Sequence, residues 1–172
     1  MRVRPATPSD VTAIATIHVE TWQVAYRGQV PDEYLERLSV DGRISAWRDI
    51  LAATAWPSTG VFVAEDDGGD VVGFTHIAPS RDDDAPPGTA EVTSIYVRPD
   101  AWGSGAGRSL LGAACASLRS GGFGSATLWV LDSNERARRF YEAMGWRADG
   151  RGKVDRRGGE FELNEVRYAV SL

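Results

Sequence analysis

Ile95-Tyr96-Val97-Arg98-Pro99-Asp100-Ala101-Trp102-Gly103-Ser104-Gly105-Ala106-Gly107-Arg108-Ser109-Leu110-Leu111 is the most informative stretch of the chain. A β-prone run reaches a proline, passes into a glycine-rich loop and leaves as a helix-forming segment. Glycines let the backbone approach a ligand and free N–H groups at a helix N-terminus, which suits a pyrophosphate. Two common phosphate loops fail on spacing. A P-loop needs four residues between its first Gly and Gly-Lys, but Gly103 and Gly107 enclose three and Arg108 replaces Lys. A dinucleotide fingerprint needs a third Gly, where the two possible registers place Arg108 or Leu110. A glycine-rich helix start without a ligand stays open on this stretch alone.

Upstream, residues 3–6 read as a short strand, and Pro8-Ser9-Asp10 as a helix start. Ile14, Ile17, His18, Thr21 and Trp22 recur at helical steps, and two further helical stretches follow over 31–38 and 40–53. Strands are expected over 60–64 and 71–77, joined as a hairpin by the polar turn 66–70, and again over 89–97. Downstream, a helix over 104–119 ends at Gly121-Gly122, a strand covers 125–131 and a helix covers 134–144. Strands over 146–154 and 161–170 close the chain, joined by Arg156-Arg157-Gly158-Gly159. Strands mixed with helices in this order predict one α/β or α+β sandwich, a single domain over residues 1–172.

The bulk numbers narrow the function. A net charge of −5 leaves no global basic footprint for nucleic acid. No stretch is long and apolar enough for a membrane span or a leader, and the single cysteine cannot form an internal disulfide. A cytoplasmic setting fits, no Cys/His cluster has zinc spacing, and a homodimer is compatible with the composition.

A second motif follows the 125–131 strand: Asn134-Glu135-Arg136-Ala137-Arg138-Arg139-Phe140-Tyr141-Glu142-Ala143-Met144-Gly145-Trp146. Together the two motifs resemble the GCN5-related N-acetyltransferases (GNAT). That family pairs a loop of the form Arg/Gln-x-x-Gly-x-Gly/Ala with a later Asn-x-x-Ala-x-x-Phe-Tyr-x-x-x-Gly-Phe/Trp helix. Gly105 and Gly107 fill the small positions of the loop, and Asn134, Ala137, Phe140, Tyr141, Gly145 and Trp146 match the helix. Glu165-Val166-Arg167-Tyr168 is similar to the last strand of many bacterial members. One departure stands out: Trp102 occupies the loop position where the family carries Arg or Gln.

The resemblance implies a mixed, mostly antiparallel sheet flanked by helices, with two strands splayed to bind acetyl-CoA. It implies that the backbone at Ile95 and Val97 pairs with the pantetheine arm and polarises the thioester carbonyl. Gly103, Ser104, Gly105, Ala106, Gly107 and Arg108 would present amides to the pyrophosphate. Asn134 would contact the pantetheine or orient the strand end, and Ala137 and Phe140 would pack on the cofactor. Tyr141 is the candidate general acid for a departing thiolate, with a phenol pKa of about 10 against about 8.5 for a thiol. Glu91 is either the base that deprotonates the acceptor ammonium or a strand-end carboxylate in water. By alternation it should share a face with Thr93, Ile95 and Val97.

Trp22 and Tyr26, one helical turn apart, could line the acceptor pocket, although core packing is the better reading for both. His18 reads as a packed histidine, and nothing in its spacing commits His76 to the site. Asp82-Asp83-Asp84 reads as a solvated run, Cys115 as an inert core thiol and Arg156-Arg157 as an exposed turn pair. The expected activity is direct transfer of an acetyl group from acetyl-CoA to a primary amine of a small molecule, without metal. A protein or peptide N-terminus is the alternative acceptor, and a non-catalytic acyl-CoA sensor is the rival of another class.

Overall fold

The computed structural model describes residues 1–156 and 159–172. Seven strands form one sheet in the order β1-β2-β3-β4-β5-β7-β6: β1 (Arg2–Pro5), β2 (Gly60–Glu65), β3 (Val71–Pro79), β4 (Thr89–Val97), β5 (Ser125–Leu131), β6 (Arg147–Asp155) and β7 (Leu163–Ser171). Neighbours are antiparallel except β4 and β5, which run parallel and are connected through a helix. The expected β2–β3 hairpin and the β6–β7 pair are both present. Arg157 and Gly158 of the expected last turn lie outside the described residues, while Arg156 is exposed and pairs with Glu162 at 2.7 Å.

Among the described residues five α-helices flank the sheet: α1 (Val11–Ala25), α2 (Asp32–Arg37), α3 (Val40–Ala52), α4 (Ala106–Ser120) and α5 (Glu135–Ala143). A Thr7/Asp10 capping box opens the turn before α1, and Arg4 grips the Asp10 carboxylate with two bonds, at 2.8 and 2.9 Å. On one face, Ile14 and Ile17 of α1 and Trp47 of α3 pack against Val61, Val63 and Phe74. On the other, Leu110, Leu111, Ala114 and Leu118 of α4 recur at helical spacing and are buried. Leu111, Ala114 and Leu118 pack with Val92, Ala126 and Leu128, and Tyr141 of α5 joins the same cluster. α4 begins at Ala106 rather than 104, because Gly105 holds φ = +92° and the helix can propagate only after it. Among the described residues no helix is long and apolar enough to cross a membrane.

Two features of β4 position the site. β4 and β5 are paired only from Thr89–Ser125 to Glu91–Thr127. Beyond that the two strands part, although β4 runs on to Val97 and β5 to Leu131. β4 also carries a bulge: Ala78 faces Glu91, Ile77 faces Val92, but His76 faces Ser94. Thr93 is the extra residue, and it overturns the alternation expected for this strand. Glu91, Ser94 and Tyr96 share one face, opposite Ala78, His76 and Phe74. Val92, Ile95 and Val97 share the other. Glu91 therefore points away from Ile95 and Val97, toward the layer that contains α1.

Candidate active site

The splay opens a cleft of about 1000 Å³ that runs between the ends of β4 and β5. One end is bounded by the glycine-rich loop and α5, the other by α1 and residues of the β3–β4 connection, β6 and β7. Most of the expected site residues line it: Glu91, Ile95, Val97, Gly103, Gly105, Ala106, Gly107, Arg108, Asn134, Ala137, Phe140, Tyr141, Trp22 and Tyr26. Ser104 does not. Its N–H donates to the Ala101 carbonyl (3.2 Å) and its hydroxyl accepts from the Ala106 N–H (3.3 Å), so it shapes the turn instead of facing the ligand.

At the loop end the backbone fits a diphosphate. Gly103 and Gly105 both hold left-handed φ values, and a Cβ at either would meet nothing within 4 Å, so glycine is required by conformation and not by crowding. Gly107 and Arg108 lie in the first turn of α4, where N–H groups have no helical acceptor. The strand edges fit an extended amide arm: past Glu91, β4 has no β5 partner, which leaves an open strand edge for β-augmentation. Trp102 is tied into this end. Its indole N–H donates to the Val97 carbonyl at 2.7 Å, and the Arg136 guanidinium lies 3.4 Å from its ring centroid. Asn134 caps α5, its side-chain carbonyl accepting from the Ala137 N–H at 3.1 Å.

Tyr141 is buried among Phe140, Trp146 and Tyr168. Burial, with Tyr96 close by, pushes its phenol well above the ordinary value of 10.0. Such a phenol stays protonated and donates a hydrogen bond. Full proton transfer to a thiolate of pKa about 8.5 is uphill for it. Tyr96, for which no role is expected from its motif, accepts the Trp22 indole N–H at 3.1 Å and stacks on His18 with ring centroids 5.2 Å apart. Tyr26 meets Trp22 edge-on at 4.7 Å, and burial raises its phenol pKa, with Tyr96, Tyr141 and Glu165 adding to the rise. Trp22 is thus both buried core and cleft wall.

Glu91 is 7% exposed. Burial raises its carboxyl above the usual 4.5 and neighbouring Asp82 adds to this, while Arg81 and Lys153 oppose it. Arg81, Trp129, Lys153, Asp155 and Glu165 complete the polar end, with Lys153 on the Trp129 ring (4.2 Å) and 3.4 Å from Glu165. Apart from Glu165, in the last-strand stretch, these residues carry no sequence signal, because the β6–β7 register that brings Lys153 opposite Glu165 is set by tertiary pairing. Ser94 also lines the cleft on the Glu91 face, and its hydroxyl is the one buried side-chain atom without a hydrogen-bond partner among the described residues.

The remaining candidates fall outside the cleft. His18 accepts the Trp47 indole N–H at Nδ1 (3.1 Å), in keeping with a packed histidine. His76 meets the Thr93 hydroxyl at 2.6 Å, and burial, then Arg81, lower its pKa to about 4. Cys115 is half-buried on α4 with its thiol pKa raised by burial. The Asp82-Asp83-Asp84 run is not simply solvated: Arg167 binds Asp82 at 3.1 Å and Asp84 at 2.7 Å, and only Asp83 is without such a bond. Among the described residues no group of His, Cys, Asp and Glu could hold a metal ion.

The sequence profile of the Acetyltransferase (GNAT) family matches residues 13–146. The uncharacterized N-acetyltransferase YuaI of Bacillus subtilis is 33% identical over 141 residues, which cover 82% of this chain and 77% of YuaI. Among solved structures, a GCN5-related N-acetyltransferase of Rhodopseudomonas palustris superposes with TM-score 0.77 at 21% identity, covering 99% of this chain and 95% of that one. YncA of Salmonella typhimurium, solved with its cofactor acetyl-CoA, superposes with TM-score 0.73 at 22% identity, covering 100% and 94%. Loop, splayed strands and capped α5 helix thus meet an independent match over most of the sequence, and the chain belongs to the GNAT family of acetyl-CoA-dependent N-acetyltransferases.

Proposed function

We propose that the acceptor is the primary amine of a small molecule and that it attacks bound acetyl-CoA directly, with no acyl-enzyme. The carrying observation is that the loop end and the Glu91 end belong to one continuous cleft, so amine and thioester can meet within it. The single cysteine does not line that cleft, which leaves no thiol there to hold an acetyl group. A packed aromatic cluster beside the cleft favours a small acceptor over a peptide. Tyr34 of α2 packs edge-on against Phe161 at 4.8 Å, and Arg37 pairs with Glu160 at 2.8 Å. Tyr34 and Phe161 belong to one apolar cluster with Trp22, Tyr26 and Leu163, which line the cleft.

In this reading Glu91 takes a proton from the acceptor ammonium, and its raised pKa makes it a stronger base than an exposed carboxylate. The amine nitrogen bonds to the thioester carbonyl carbon while a β4 backbone N–H steadies the carbonyl oxygen. The C–S bond then breaks, Tyr141 donates a hydrogen bond to the departing sulfur, and that sulfur takes up the second proton, which the former amine nitrogen gives up. The bulge supports this division of labour, since it turns Glu91 to the side of Trp22 and Tyr26.

Thiol release from acetyl-CoA, measured against a panel of small amines and of peptides, tests the reading. Release with small amines and intersecting initial-rate lines are expected. Release with peptides alone would overturn the small-acceptor assignment, and parallel lines would overturn direct transfer.

A further inference from the structure

Trp102 puts an aromatic ring in the glycine loop where the motif it resembles has Arg or Gln, so that position offers no cation to a phosphate. Arg136, two residues into the α5 motif, reaches across to the loop. Its guanidinium lies over the Trp102 ring, 3.4 Å from the centroid, and both residues line the cleft. A planar guanidinium stacked on an indole keeps its edge N–H donors free while one face is held, which is a good geometry for a phosphate oxyanion. Trp102 is itself fixed by its indole bond to the Val97 carbonyl, so the platform is rigid.

The neighbouring arginines of α5 are occupied. Arg138 pairs with Asp132 at 3.0 Å and Arg139 with Glu135. Arg136 has no carboxylate partner among the described residues. It is a cation held in place by an aromatic ring, open to the cleft and not neutralised by a carboxylate of the described residues.

We propose that Arg136, seated on Trp102, binds a phosphate of coenzyme A and stands in from α5 for the loop's missing Arg or Gln. Trp102 is then a positioning residue rather than a defect in the motif. The pairing predicts compensation: a cation is needed at this end, and either position can supply it. The inference rests on acetyl-CoA as the ligand and is independent of which amine accepts the acetyl group.

Calorimetric titration of the full chain with acetyl-CoA and with 3′-dephospho-CoA tests it. If wild type fails to bind either, the family reading of the site fails, not this assignment alone. Arg136→Gln should weaken acetyl-CoA binding by at least about tenfold and flatten its salt dependence. Arg136→Lys should fall between, because the charge remains and the planar fork is lost. Trp102→Arg placed on the Arg136→Gln background should recover a large part of the affinity. If the Arg136→Gln loss persists with 3′-dephospho-CoA, the diphosphate is the partner, and if it vanishes, the 3′-phosphate is. Unchanged affinity for both ligands in a folded Arg136→Gln protein, checked by its melting curve, overturns the proposal. So does a double variant no better than Arg136→Gln, if Arg136→Lys also binds no better.

Discussion

At Glu91 one carboxylate is drawn two ways. Burial raises its pKa above 4.5, so its ionised form opposes folding, while the same shift would suit it to the proposed role of base. For a carboxyl with a raised folded pKa, the stability it contributes is full below the unfolded value and is lost as pH rises through the folded one. Glu91→Gln cannot ionise, so it should melt above wild type at pH 7, and the two curves should converge as pH falls to about 4. With an acceptor in hand the same variant should lose turnover near neutrality and regain part of it at high pH, where more amine is already neutral. A variant that melts lower at pH 7 would mean that the carboxylate is compensated in the fold. Tyr141→Phe should lower turnover by about 10² or more while acetyl-CoA still binds, since only the hydrogen bond to sulfur is lost. Near-normal turnover, with chemistry limiting the rate, would leave Tyr141 a packing residue. Both residues were visible in the sequence, Tyr141 through its motif and Glu91 through its place on β4. The direction in which Glu91 points was not, because no residue type announces the bulge at Thr93.

Strands and helices show where local signals suffice. The apolar period of α4, the glycine loop before it and the Asn134 cap of α5 are all short-range, and each was readable. The splay of β4 from β5 depends on pairing across the sheet, and only the family resemblance pointed to it. Gly73, third residue of β3, shows how tightly the supporting layer is built. A Cβ there would lie 2.9 Å from the Tyr96 carbonyl oxygen and 3.1 Å from side-chain carbons of Leu110 and Val97. The oxygen belongs to the backbone of β4, so the strand that carries the site would have to shift. Gly73→Ala should therefore destabilise by about 1–3 kcal/mol, read as a lower urea midpoint with unchanged slope. An unchanged midpoint would show that β3 and β4 can part by a few tenths of an ångström at no cost. Because the contact is with the Tyr96–Val97 segment, acetyl-CoA affinity should fall along with stability.

Across the whole molecule, Arg167 ties together segments far apart in the chain. Its side chain, 8% exposed, binds Asp149 of β6 at 2.7 Å and Asp82 and Asp84 of the β3–β4 connection at 3.1 and 2.7 Å. The Trp129 indole N–H also donates to Asp82, at 3.1 Å. An arginine on the last strand and an acidic run some eighty residues earlier could not be matched from sequence, which is why that run read as solvated. The connection it anchors carries Arg81, and Arg81 and Asp82 both act on the Glu91 carboxyl. Arg167→Gln should thus loosen the acceptor end while the glycine loop keeps its form. Removing one member of a buried ion pair costs about 3–5 kcal/mol, and the partly exposed carboxylates here reduce that to about 2 kcal/mol. For a chain of this length the melting temperature should fall by about 4–8 °C. The bond to Arg167 lowers the Asp84 pKa, so its stabilising contribution holds above the ordinary 3.8 and is lost as pH falls through the depressed value. The gap between wild type and variant should accordingly narrow in acid. Acceptor KM should rise while acetyl-CoA affinity stays unchanged. Equal losses at both ends would mean that the network holds the sheet as a whole and not the acceptor side in particular.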